Sequence, residues 1–390
     1  MSACLPTHLR PRGVWNLVVL CLISGVLAQQ ANAQDAPRPD PDVVVFKNGD
    51  QLTGTLVRGV GDSVIFKSDI VGEVTIPLNQ VKELRSSGNF AVLKKGEKIN
   101  RASVQPGSIT STDSSVIVSH QGGTTETVPV KDISSIVDNA TYNKEVARNP
   151  GIWYGWKGSI VGGATIVEST QTGRTYTAGI TLARAIPTVP YLPARTRTTF
   201  NLLETYGKFT QPTIPQTTPP TPDSIAKTNI FHTDFEHDKY LTPRMYALAG
   251  LSYDHNFAQG LNLQQIYGAG LGWTVLQDSL QQLDLKSDVH YEMQNFQPPT
   301  VNQNLIGSTF GEAYKRTLPA KLLLTESGTY IQSWNNLQAY SAIGNIGLAM
   351  PVYKRFSLSV NALDNYLNNP AFGYKKNSFQ FVTGVTYTLP

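Results

Sequence analysis

From residue 153 to the end of this chain, apolar and polar residues alternate in segments of about 15 residues, separated by turn-forming residues. Alternation with a period of two puts successive side chains on opposite faces of an extended strand. Segments of this length exceed the five or six residues usual in soluble sheets. Twelve are read, at approximately 153–167, 174–186, 195–209, 224–239, 242–256, 263–276, 280–295, 304–317, 320–334, 337–351, 354–366 and 376–389.

The seventh segment is the clearest, with Leu283, Leu285, Val289, Tyr291 and Met293 on one face. Gln282, Asp284, Lys286, Asp288, His290, Glu292 and Gln294 lie on the other. In the fourth, Phe231, Thr233 and Phe235 oppose His232, Asp234, Glu236 and Asp238. The fifth sets Met245, Ala247, Ala249, Leu251 and Tyr253 on its apolar side, and the last sets Phe379, Phe381, Val385, Tyr387 and Leu389 there. One face suits hydrocarbon and the other suits water. A sheet exposed to hydrocarbon must close on itself, because an unpaired backbone group at its edge costs several kcal/mol there. The expected fold is all-β, an antiparallel transmembrane β-barrel of about twelve strands. An even count returns both ends of the sheet to one side of the membrane.

Connection lengths agree with this. Those near Tyr240, Gln277 to Ser279, Leu318-Pro319 and Val352-Tyr353 are tight, whereas 210–223, 257–262, 296–303 and 367–375 are longer and rich in Pro, Asn and Gln. Outer-membrane barrels alternate short periplasmic turns with long outer loops in this way. The connection at 187–194 is long for a periplasmic turn. Trp153, Tyr154, Trp156, Trp334, Tyr340 and Tyr387 fall near segment ends, where amphipathic rings form interfacial girdles.

The N-terminus supplies a route to that membrane. Arg10 and Arg12, an apolar run from Val14 to Ala28, and Ala31-Asn32-Ala33 make a secretory signal peptide over residues 1–33, with cleavage expected after Ala33. Cys4 and Cys21 both lie in that segment, so the processed chain would carry no thiol, disulfide or cysteine-based metal site. Loss of the two arginines takes the formal charge from +4 to about +2, which argues against a nucleic-acid partner. Charged residues are 15% of the chain, below the roughly 25% of soluble domains. No stretch after residue 33 is apolar for the roughly 20 residues that a spanning helix needs.

After a Pro-rich leader at 34–41, residues 42–140 hold an internal repeat. A shift of 52 places Val116, Val128, Val130, Ile133 and Ile136 opposite Val64, Ile76, Leu78, Val81 and Leu84. Each copy is a set of short β-branched runs between glycine turns, which suits a small SH3-like β module. Asn48-Gly49 reads as a type I′ hairpin turn. The module is expected to be periplasmic and to bind peptidoglycan or a periplasmic protein, or to serve as scaffold near the barrel mouth. Residues 141–152 read as a linker to a barrel region at 153–390.

With its export signal, the segment Asn48-Gly49-Asp50-Gln51-Leu52-Thr53-Gly54 with its repeat, and a barrel starting near Trp156-Lys157-Gly158, the chain resembles the salt-induced outer-membrane proteins of the domain of unknown function 481 family. The resemblance implies an outer-membrane barrel in a Gram-negative bacterium, inserted by the barrel assembly machinery among outer-membrane lipid. It implies little about activity. Such barrels usually end in an aromatic residue, whereas this sequence ends Tyr387-Thr388-Leu389-Pro390.

His232, Asp234, Glu236, Asp238, Asp284, Lys286, Asp288, His290 and Glu292 are the candidate lumen-lining residues. His232 and Asp234 share a strand face and would suit acid-base work or a divalent cation, as in an outer-membrane hydrolase with a lumen or rim His/Asp site. A barrel interior needs polar lining in any case, so no catalytic residue, metal ligand or cofactor is assigned. Gly162-Gly163 and the Gly268, Gly270, Gly272 set lack the lysine and helix of a phosphate loop and read as positions of close packing. The expected role is structural, or a pore for small solutes and ions.

Overall fold

The computed structural model describes residues 41–96, 104–112, 114–148, 150–168, 172–211 and 224–389. The signal peptide, all of the leader but Pro41, and most of the proline-rich connection at 210–223 lie outside the described residues. The chain forms two compact units that meet in sequence between Asn139 and Ala140.

The first unit is a sheet of nine strands: β1 (Asp42–Phe46), β2 (Gln51–Val60), β3 (Ser63–Ser68), β4 (Gly72–Pro77), β5 (Val81–Lys94), β6 (Gly107–Ser111), β7 (Ser115–His120), β8 (Thr125–Pro129) and β9 (Ile133–Asp138). The repeat is visible in its pairing. β1 to β4 run as a meander, a 3-10 turn at Leu78–Gln80 follows, and the first half of β5 returns against β1. The second half of β5 then takes the part of β1. It is followed by β6, β7, β8 and a 3-10 turn at Val130–Asp132, and β9 returns against it. Five strands with a 3-10 turn before the last is an SH3-like arrangement, used here twice with β5 shared. The repeated positions are its core, with Val64, Ile76, Leu78, Val81, Leu84, Val116, Val128, Ile133 and Ile136 all buried. The hairpin at Asn48-Gly49 forms, but not as type I′. Gly49 alone has a positive φ, of 95°, while Asn48 stays in ordinary space and accepts the Asp50 N–H on its side chain at 3.1 Å. Three residues between the paired Phe46 and Asp50 favour this form over the two-residue turn.

The second unit holds a closed antiparallel barrel of twelve strands. These are β10 (Lys157–Glu168), β11 (Thr172–Ile186), β12 (Thr196–Gln211), β13 (Ser224–Tyr240), β14 (Met245–Asn256), β15 (Leu261–Gln277), β16 (Gln281–Phe296), β17 (Gln303–Thr317), β18 (Leu323–Ser333), β19 (Tyr340–Tyr353), β20 (Phe356–Leu367) and β21 (Asn377–Thr388). Closure is made by β10 against β21, with Ile160 opposite Tyr387 and Gly162 opposite Val385. Four strands start a few residues later than the alternation suggests. Before β10, Gly155 takes a positive φ of 85° and the Trp156 indole donates to the Ile152 carbonyl, which makes 153–156 a turn. Residues 242–244, 320–322 and 337–339 are likewise turns, Ala320 and Lys321 with φ of 60°.

The outward positions are apolar and exposed: Ile160, Leu271, Leu285, Val289, Phe310, Leu348, Leu358, Phe379 and Phe381 among them. A belt of this kind around a closed sheet is stable only when covered by something apolar. Aromatic rings line both rims of the belt. At one rim Tyr176 faces Tyr206 and Tyr267 faces Tyr291 across strands, and Tyr340 stacks on Tyr366 at 6.0 Å. At the other, Phe356 packs on Tyr387 at 5.0 Å. The eight steps from Phe379 to Tyr387 cover roughly 27 Å along the strand, or about 20 Å along the axis at a 40° tilt. That approaches the height of a transmembrane band.

At the end of the barrel where β10 starts and β21 ends, its terminal end, the connection after β11 is the long one noted in the sequence. It holds the preceding segment. Glu145 accepts from the Thr188 backbone N–H and hydroxyl at 2.8 Å each, and Arg195 donates to the carbonyls of Glu145 and Val146.

Candidate functional site: a charged wall in the barrel lumen

Strand alternation sends every second residue inward, and on β12 to β17 these positions carry the charge. All nine candidates sit there, on β13 and β16, with β14 and β15 between them. With their partners they fall into three hydrogen-bonded tiers, ordered along β16 by Asp284, then Lys286, then Asp288 to Glu292.

Nearest the terminal end, the guanidinium of Arg197 on β12 donates to Asp238 at 2.6 Å and to Asp284 at 3.0 Å. Thr274 and Gln282 also donate to Asp284. The ring of Tyr246 lies against Arg197, its centroid 4.8 Å from the guanidinium carbon. Tyr246 reaches this place because β15 has Gly272 opposite it, where a Cβ would stand 2.1 Å from the ring. Asp238 is fully buried. A buried carboxylate is tolerated only with such partners.

In the middle tier, Lys286 donates to Glu236 at 2.7 Å. His232 places one ring nitrogen 2.6 Å from Asp254 and the other 3.0 Å from Asp234, which also accepts from Asn201. Both ring nitrogens therefore donate to carboxylates, and neither offers a lone pair to a cation. Among the described residues no His, Cys, Asp or Glu group is arranged to hold a metal. At the third tier His290 lies 3.1 Å from Asp288 and 3.0 Å from the Thr309 hydroxyl, while Gln264 and Gln294 donate to Glu292.

Accessibility separates the tiers. The side chain of His290 is 0% exposed and that of Glu292 2%, so the third tier is packed. His232 and Lys286 each keep 37% of their side-chain surface accessible although they sit mid-strand on the inner face. The middle of the barrel thus holds a void between these side chains. Seven carboxylates line this wall (Asp234, Glu236, Asp238, Asp254, Asp284, Asp288, Glu292) against five cations with both histidines counted (Arg197, Lys286, Lys315, His232, His290), an excess of two negative charges. The opposite wall, from β18 through β21 to β11, presents Ser, Thr, Asn and Gly with a few aliphatic residues, for example Thr329, Ser341, Asn361, Gln380 and Thr177.

The mouth opposite the start of β10 and the end of β21 is bridged. The turn at Phe257–Gln259 joins β14 to β15, and residues 368–376 join β20 to β21, half the ring away. Gln259 nevertheless donates to the carbonyls of Asn365 at 2.9 Å and Lys376 at 2.7 Å, and accepts the Ala371 N–H on its backbone at 3.1 Å. Leu261, Phe296, Leu367 and Ala371 form a small buried core beneath this crossing. Phe372 and Tyr374 donate to Thr300 and Gln297 of the next loop.

A family model described as "Protein of unknown function, DUF481" matches residues 191–389, just over half of the chain. The chain belongs to the DUF481 family. The match covers the charged wall in full. Among solved structures, this DUF481 chain is similar to the translocator domain of autotransporter NalP from Neisseria meningitidis, at 12% identity and a TM-score of 0.30, over 60% of this chain and 86% of that one. It is also similar to the beta domain of the Bordetella autotransporter BrkA, at 10% identity and a TM-score of 0.29, over 60% of this chain and 97% of that one. Likeness at these scores carries no argument about function. No curated protein matches the chain.

Several inward residues of the DUF481 barrel escape a strand-by-strand reading. Arg197 and Asn201 sit in a segment whose two faces were not told apart, Asp254 in one picked out for its apolar face, and Tyr246 is an aromatic on an inward position. A signal existed: Arg197 lies an even number of residues from Asn201, so both share the inner face once the register is known.

Proposed function

We propose that this chain is an outer-membrane protein, exported by its first 33 residues, whose barrel holds a water-filled passage for ions or small polar solutes that favours cations and is closed at its outer mouth by crossing loops. The single observation that supports this best is the middle tier, where His232 and Lys286 keep accessible surface beside an excess of carboxylates. Polar side chains in a packed plug would be covered by partners on all sides. The belt of exposed Leu, Val and Phe with aromatic rims supports the membrane location. The barrel assembly machinery and outer-membrane lipid are the partners this reading implies.

Hydrolysis has less support. His290, which touches a hydroxyl, is inaccessible to a substrate, and His232 spends both nitrogens on carboxylates. For the repeated module at 42–140 we propose a periplasmic binding role, toward peptidoglycan or a periplasmic protein. The turn after β3, with Ile70 and Val71 standing out into solvent, is its most prominent apolar feature.

Reconstitution in planar bilayers with a salt gradient tests the passage. Discrete conductance steps with a reversal potential displaced toward cations are expected. A protein that inserts yet stays silent, even after the outer loops are cut, would leave a scaffold role instead.

A further inference from the structure

Residues 140–154 are held too firmly for a loose linker. Arg184 on β11 donates to the carbonyls of Tyr154 at 2.8 Å, Pro150 at 2.9 Å and Gly151 at 3.0 Å, which fixes the chain just before β10. Glu145 and Arg195 fix its start, as described above. Two features of this fixed segment have no role in the barrel's own packing. One is a run of exposed apolar residues, Ile152, Trp153 and Tyr154, with Trp153 90% exposed. The other is a cavity of about 410 Å³ whose lining includes Asn143, Lys144, Arg148 and Tyr154. The ammonium of Lys144 rests 3.8 Å from the centre of the Tyr154 ring.

The place of this segment matters. It leads directly into β10, whose Ile160 faces Tyr387 at the rim of the apolar belt. Exposed Trp and Tyr rings next to such a belt lie at the depth of lipid headgroups. Cations at that depth attract anionic lipid. The Tyr154 phenol and two cations line the cavity, and the exposed Trp153 indole precedes Tyr154 in the chain, a set that matches a phosphodiester with its glycerol backbone and the start of its acyl chains.

We propose that this cavity binds the headgroup of an anionic phospholipid from the leaflet next to the barrel's terminal end, with Lys144 and Arg148 on the phosphate and Trp153 among the acyl chains. This rests on the outer-membrane reading, but not on the barrel conducting. The chemistry needs only a phosphodiester, so lipid must be told apart from free phosphate.

The test uses the full processed chain in detergent, challenged with equal amounts of dioleoylphosphatidylglycerol and dioleoylphosphatidylcholine and read by native mass spectrometry. The wild type is expected to retain phosphatidylglycerol about tenfold better. The variant Lys144→Ala with Arg148→Ala should bring the two lipids to parity while unboiled gel mobility shows the barrel still folded. Trp153→Ala should weaken retention of both lipids without changing their ratio. Equal retention by the wild type, or an unchanged preference in the double variant, would overturn the proposal. Displacement of phosphatidylglycerol by millimolar inorganic phosphate would overturn the lipid assignment. Conductance is not read in this experiment, so its failure leaves the passage standing, whereas recovery of the chain without detergent would sink both.

Discussion

The side-chain amide of Gln259 donates to the carbonyl of Lys376 at 2.7 Å, joining two loops that leave the barrel from opposite sides of a twelve-strand ring. Gln259 is nearly fully buried, and its companion bond to Asn365 fixes the same contact. Gly260 beside it takes a positive φ of 65° and lies so close to Ala371 that a Cβ would meet the Ala371 methyl at 2.4 Å.

Gln259→Ala removes the two side-chain bonds to Asn365 and Lys376, each worth about 1 kcal/mol net, and keeps the backbone bond from Ala371. About 2 kcal/mol moves a closed-to-open ratio roughly thirtyfold. Single-channel recording should show the open fraction rising by that order in the variant, with unit conductance unchanged. An identical open fraction would mean that the loops do not gate the mouth.

Arg197→Met leaves Asp238 and Asp284 buried without their cation, a loss of about 3–5 kcal/mol. The temperature at which the folded band converts to the heat-denatured band should fall well below wild type. Arg197→Lys should recover only part of the loss, since an ammonium cannot reach both carboxylates in the forked geometry seen at 2.6 and 3.0 Å.

Selectivity follows the middle tier. Lys286→Gln takes one positive charge from the accessible wall and should raise the cation-to-anion permeability ratio, whereas Glu236→Gln should lower it. Both changes are read from reversal potentials in a salt gradient, and both should fade as ionic strength rises. Shifts of the same sign in the two variants would contradict a lumen path along this wall.

Much of this was legible in the sequence, and unevenly so. The alternation in 280–295 separates the inward face of β16 from its outward face at every position named, because a period of two fixes side-chain direction before any partner is known. The choice of the nine candidate residues rests on that one rule. The ion pairs do not, since Arg197 and Asp284 are 87 residues apart and meet only through a register set by β12 to β16. The closure by Gln259 was hidden too. Residues 257–262 read as an ordinary outer loop, and nothing local shows that a three-residue turn is aimed across the ring rather than out into water. Strand starts were blurred at Trp153 and Leu337, where apolar residues continue the pattern into turns fixed by backbone angles or by carbonyl contacts.

The central claim is that residues 157–388 close into a ring whose outer face meets lipid. Cell fractionation followed by gel electrophoresis with and without boiling tests it most directly. The processed chain should be found in the outer-membrane fraction and migrate as a compact band until heated, then shift to its full apparent mass. Recovery as a soluble, folded protein in the periplasmic fraction, with mobility indifferent to heating, would contradict the account.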